Sequence, residues 1–282
     1  MSDISRLLDL YRQVRQTTLR LCEPLATEDY VIQCMADVSP PKWHLAHTTW
    51  FFEHFVLEPY SPDYQLVDER YGFLFNSYYR SVGEFHRRPE RGCLSRPTVD
   101  KVIEFRHRVD DSMMNFLSKG DVPAAARELI RTGLHHEQQH QELLVMDIKY
   151  NFSRNPLVPP YFAGEVPEPR VSGHATEQWL STEPQLVTTG TDEDSEFSFD
   201  NERPAHKNWL PGHSLRGTLI TNREYLEFME AGGYDDCLLW LSDGFDYLQR
   251  GRISGPEYWR RSDDGSYQEF QLTGLHPLDM EA

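Results

Sequence analysis

His135-His136-Glu137-Gln138-Gln139-His140-Gln141-Glu142 sits inside a longer apolar repeat. That repeat opens at Asp121 and Pro123 and runs through Ala126, Leu129, His136, His140 and Leu143 to Asp147. Apolar positions three and four apart describe one buried stripe of an α-helix. On such a helix His136 and His140 stack on the same face, one turn apart. Two imidazoles presented this way can chelate a single transition metal. The spelling thus predicts a helix and a candidate metal site together, and both require a partner helix.

Three further helices are expected upstream. Leu7, Tyr11, Val14, Thr18 and Leu21 form one stripe. A second helix covers Trp43 to Leu57, with Ser39 expected as its cap and Pro40 and Pro41 in its first turn. The third spans Thr98 to Leu117 on Val102, Phe105, Val109, Met113 and Phe116, with a stop at Lys119-Gly120. Between the second and third lies an aromatic, Gly- and Pro-bearing segment from Glu58 to Pro97 without a sustained period, and loops of that length are usually functional. Four amphipathic helices with one long connection predict a four-helix bundle over residues 1–151.

After Asn151 the texture changes. Residues 152–184 read as a proline-bearing linker, and residues 185–282 as an irregular domain with an extended run at Gln185 to Thr189 and a short helix at Asn222 to Met229. A turn-rich stretch is expected around Asp192 to Asp200. The fold class is therefore α+β.

Composition narrows the function. A net charge of −17 argues against nucleic acid as a partner. No run approaches the roughly 20 apolar residues of a membrane span, and the first residues lack the pattern of a signal peptide, so no membrane role and a cytoplasmic location are expected. Cys22, Cys34, Cys93 and Cys237 are scattered and read as reduced thiols.

A bundle metal site draws its third ligand from a facing helix. Trp43-His44-Leu45-Ala46-His47, with His54 a little further on, supplies three candidates. His47 shares a face with Trp50, Phe51 and His54, and His44 lies on much the same face. Three neutral imidazoles without a carboxylate suit zinc, iron or copper and leave coordination positions open. His136-Glu137-Gln138-Gln139-His140 also matches the HExxH pattern of zinc proteases. Its context does not fit, because the third ligand of such enzymes usually lies downstream, where no histidine has a helical setting.

Two long strings, Pro41-Lys-Trp-His-Leu-Ala-His-Thr-Thr-Trp-Phe-Phe-Glu53 and His135 to Glu142, resemble the ergothioneine-pathway sulfoxide synthases and their ovothiol-pathway relatives. Phe199 to His206, Thr221 to Phe228 and Leu239 to Gly244 resemble the start of the formylglycine-generating-enzyme-like domain of the same family. The resemblance implies a DinB-like four-helix bundle followed by an irregular C-type-lectin-like (sulfatase-modifying-factor-like) domain, here expected to be incomplete at its C-terminal side. It implies Fe(II) held by His47, His136 and His140. It also implies a reaction with dioxygen that joins a cysteine-type thiol, γ-glutamylcysteine or cysteine, to the imidazole of hercynine, a histidine betaine, and leaves the sulfur as a sulfoxide. Gln139 matches the family glutamine that touches the imidazole substrate, and Arg88 and Arg91 lie where family arginines hold the donor's carboxylate. The family's catalytic tyrosine falls beyond residue 282. Three alternatives accompany this reading: an ovothiol-type synthase, a metal-binding DinB-type protein that is catalytically incomplete, and a DinB-type thiol transferase that needs only the bundle.

Overall fold

The computed structural model describes residues 3–164, 179–192 and 197–282. Part of the expected linker and residues 193–196 of the turn-rich stretch lie outside the described residues. The chain divides into two compact units, Met1–Phe162 and Ala163–Ala282.

The first unit is built on four long helical segments. Helix α1 (Asp3–Cys22) buries Leu7, Tyr11, Val14 and Thr18, as its stripe predicts, but also Arg15. Helix α2 (Pro41–Phe52) is buried at all 12 of its positions and continues through a π-helical turn, Glu53–Leu57, into the short α3 (Glu58–Tyr60). After the short α4 (Tyr71–Phe75) comes α5 (Val99–Ser118), started by Thr98, whose side chain accepts from the Lys101 amide. Helix α6 (Ala124–Ser153) is the longest, at 30 residues. Helices α1 and α2 each pack against both α5 and α6, which is the expected bundle.

The long connection explains how a helix with no solvent face is accommodated. It wraps α2 and binds it through backbone carbonyls: Trp43 Nε1 donates to Leu74 O at 3.3 Å, and Lys42 Nζ donates to Leu94 O and Pro97 O at 2.5 and 2.9 Å. Buried Glu53 accepts from Tyr64 Oη and the Val67 amide. The expected Ser39 cap is not formed. Pro40 occupies the cap position, and Ser39 instead uses its amide and hydroxyl for contacts with Asp147 and Arg91. Proline at the start of a helix needs no donor of its own, so Ser39 is released for those contacts.

Gly133 sets the spacing of α2 and α6. A Cβ there would stand 2.7 Å from ring carbons of Phe51 and Phe52, so only glycine lets the helices approach this closely.

The second unit contains β1 (Trp179–Thr182), β2 (Gln185–Thr189), β3 (His206–Leu210) and β4 (His213–Arg216), paired antiparallel as β1 with β4 and β2 with β3. Helix α7 (Asn222–Glu230) follows, with a Thr221–Glu224 capping box, and then α8 (Ser242–Gly251). Strands β5 (Trp259–Arg261), β6 (Tyr267–Gln271) and β7 (Gly274–Pro277) form an antiparallel sheet in that order. The residues after β7 are tied to α7: the Asn222 and Arg223 amides donate to Ala282 O and Met280 O. No helix among the described residues is long and apolar enough to cross a membrane.

Candidate metal centre in the bundle

His47 from α2 and His136 and His140 from α6 converge in the interior of the bundle, with one ring nitrogen of each within 4.8 Å of the others. His47 and His136 are buried, and His140 is partly so. His47 Nδ1 lies 2.5 Å from Phe75 O, which can only accept, so that nitrogen carries the proton and Nε2 keeps its lone pair. His47 Nε2 in turn lies 3.2 Å from His136 Nε2. Two nitrogens about 2.1 Å from one ion, at an angle of about 90–109°, lie roughly 3.0–3.4 Å apart, so this separation suits two ligands of one metal. His136 Nδ1 is buried without a hydrogen-bond partner. The nitrogen that faces His47 is the other one, Nε2, so this orphaned atom is not itself a ligand of the shared position.

All three rings favour the neutral form. Burial, and then the neighbouring His136, depress the pKa of His47 well below its ordinary value. Burial lowers His136 to about 4 and also dominates the depression at His140, to which His47 adds. Neutral imidazoles are the form that binds metal.

Tryptophans flank the cluster. Trp43 stacks on His47 at 4.5 Å between ring centroids, and Trp50 stacks on it at 5.8 Å. The other two candidates for the third ligand have different partners. His54 Nδ1 pairs with Glu58 at 2.7 Å, and His44 stands between His140 and Asp147.

Glu137 answers the HExxH question. It projects from α6 away from the imidazoles into the interface with α1 and α5, where it is fully buried. Arg15 Nη1 donates to Oε2 at 2.9 Å, while Thr18 and Arg106 donate to Oε1. Arg15 also donates to Asp110 at 2.6 Å and to Thr49 at 3.0 Å. Burial works to raise the Glu137 pKa, but Arg106 and Arg15 outweigh it and hold the carboxyl at about 2. A carboxylate so held cannot serve as the general base of a protease, which must take up a proton near the metal. Sequence reading missed this network, since a lone buried arginine on α1 or α5 leaves no periodic mark.

The three expected substrate-binding residues differ in setting. Gln139 is exposed, on the turn of α6 between His136 and His140. Arg88 is exposed and donates to Asp37 O. Arg91 is buried, its guanidinium 3.3 Å from the Trp43 ring centroid, and donates to Ser39 Oγ at 2.8 Å and Ser77 Oγ at 3.2 Å. Its Nε has no hydrogen-bond partner. Burial, with Arg88 adding to it, lowers its pKa to about 9. A cation without an opposite charge inside a protein is costly.

Residues 10–144 match the DinB superfamily. The chain is 27% identical to a hercynine oxygenase of Mycolicibacterium smegmatis over 96% of its own length and 61% of that protein's. It is likewise 27% identical to the hercynine oxygenase of Mycolicibacterium thermoresistibile, over 93% of this chain and 56% of the relative. Over 47% of the chain it is 24% identical to ergothioneine biosynthesis protein 1 of Neurospora crassa, covering 16% of that protein. The chain thus spans about three fifths of the length of the bacterial relatives. Residues 10–144 are thus similar to the DinB superfamily, and the chain as a whole is similar to proteins named hercynine oxygenase.

Proposed function

We propose that this chain carries the metal centre and part of the substrate site of a non-haem iron, dioxygen-dependent sulfoxide synthase acting on hercynine. The convergence of His47, His136 and His140 within 4.8 Å carries the reading. Fe(II) is the proposed metal, bound through the three imidazoles. When bound, it supplies open coordination sites at which a thiolate and dioxygen can be brought together.

The remaining work falls to the protein. Arg91 receives the donor's carboxylate, and the buried guanidinium beside Trp43 supports this, because a planar fork suits a carboxylate. Arg88, one turn earlier and exposed, is proposed to act at the mouth of the same site. Gln139, on the helix turn shared by two imidazoles, is proposed to meet the acceptor ring. The overall change balances without a further reductant. The thiol S–H and the imidazole C–H give their hydrogens to water, sulfur gains a bond to carbon and one to oxygen, and dioxygen provides both oxygen atoms. The four cysteines are unpaired, which suits the proposed cytoplasmic setting.

Anaerobic titration of the chain with Fe(II), followed by addition of γ-glutamylcysteine or cysteine, tests the reading. Stoichiometric iron and a thiol-dependent change in the iron's absorption are expected, with thiol affinity reduced at least about tenfold in Arg91→Met while iron binding persists. Iron binding without any response to either thiol would refute the assignment of substrate.

A further inference from the structure

His44 is buried and does not belong to the cluster of three imidazoles, yet it touches that cluster. Its Nδ1 lies 2.9 Å from Nδ1 of His140, and its Nε2 lies 3.0 Å from Asp147 Oδ2. Asp147, two helical turns beyond His140 on α6, is buried too, and the same oxygen accepts from the Ser39 amide at 2.8 Å. This line of polar groups runs from the end of the bundle where α2 begins to the edge of the candidate metal centre.

Hydrogen-bond polarity orders the line. An ionised carboxylate only accepts, so the proton between Asp147 and His44 sits on His44 Nε2. A neutral His44 then presents a bare Nδ1. Its partner at 2.9 Å must donate, so His140 carries its proton on Nδ1 and has a lone pair on Nε2. We propose that Asp147 and His44 form a positioning relay that fixes the tautomer and ring orientation of His140, so that its Nε2 is presented to the metal. The inference rests on the metal-centre reading above. His47 obtains the same result from a backbone carbonyl, that of Phe75. At His140 the corresponding Nδ1 meets a second imidazole, that of His44, instead. Groups that orient ligating histidines in this way commonly set metal affinity.

Two variants separate positioning from packing. His44→Ala removes the acceptor. His44→Asn places a side-chain oxygen close to the former Nδ1, so it can accept from His140 while giving up the contact with Asp147. Fe(II) affinity of the full chain is measured anaerobically for both beside wild type, and the tautomer of His140 is read from the ring ¹⁵N resonances of the metal-free protein. The expected result is an Nδ1–H tautomer in wild type, a loss of affinity of about 10–100-fold in His44→Ala, and recovery to within a few-fold in His44→Asn. An Nε2–H tautomer at His140 in wild type would overturn the relay. So would equal affinity in His44→Ala and wild type, or equal losses in both variants accompanied by equal losses of melting temperature. If wild type itself binds no iron, the metal-centre reading fails and the relay falls with it, a result distinct from all the others.

Discussion

Glu137 and His136 are consecutive residues of one helix, both buried, and they belong to two polar clusters built in opposite ways. On the side facing α1 and α5, Glu137 is charged, and Arg15, Arg106 and Thr18 donate to its oxygens. On the side facing α2, His136, His140 and His47 are neutral, their nitrogens face one another, and one buried nitrogen has no partner. Paired charges of opposite sign mark a cluster made to hold helices together, even though Arg106 Nε there has no partner. The histidine side has no such pairing of charges, and neutral imidazoles converging on one point suit a cluster that holds something else.

The sharpest way to break this contrast is to remove the anchor of the paired side. Glu137→Ala leaves buried Arg106 without a carboxylate and Arg15 with Asp110 alone, and about 3–5 kcal/mol of stability should be lost in chemical denaturation. A loss below about 1 kcal/mol would mean that the network is solvated rather than structural. Next in size is Gly133→Ala, which drives a methyl group into Phe51 and Phe52 and should cost about 1–3 kcal/mol. It should also weaken metal binding, since it forces apart the two helices that carry the imidazoles. Metal binding unchanged in a destabilised variant would show that the site tolerates a wider spacing.

Acid should separate the clusters in the metal-free protein. Both groups have depressed pKa values in the folded state, so the unfolded chain binds more protons and stability falls as pH falls. For His136 the loss runs from its ordinary 6.5 down to about 4, and for Glu137 from 4.5 down to about 2. Denaturation midpoints measured across these ranges should therefore decline in two stages. In His136→Phe the first stage should shrink and the second should persist. A single decline confined to the lower range would mean that the histidines are not held neutral by burial. At neutral pH the same variant should show the smallest effect, with metal-free stability within about 1 kcal/mol of wild type, because it replaces a group with an unpaired buried nitrogen by an apolar ring.

How far the sequence led depended on which physical feature carried the signal. Helices α1, α5 and α6 were legible because each has a polar face, so that Leu7, Val102 or Ala126 stands out by period. The pair His136 and His140 was legible for the same reason. Helix α2 is buried all round, so nothing in its pattern distinguishes the face of His47 from that of His44, and residue spacing left both open. The carbonyls of Leu74, Phe75, Leu94 and Pro97 that secure α2 belong to the backbone and leave no mark in residue identity. Arg15 and Arg106 sit on apolar stripes, where an arginine looks like an interruption until its partner on another helix is known. Asp147 was the one sign of the relay within reach, standing two turns beyond His140 on the same helix face.

The most direct measurement is an anaerobic Fe(II) titration of wild type beside His136→Ala, with iron content determined after removal of free metal. One iron per wild-type chain and none retained by the variant is the predicted result. Iron retained at full occupancy by His136→Ala, or no iron bound by wild type, would contradict a metal centre at His47, His136 and His140.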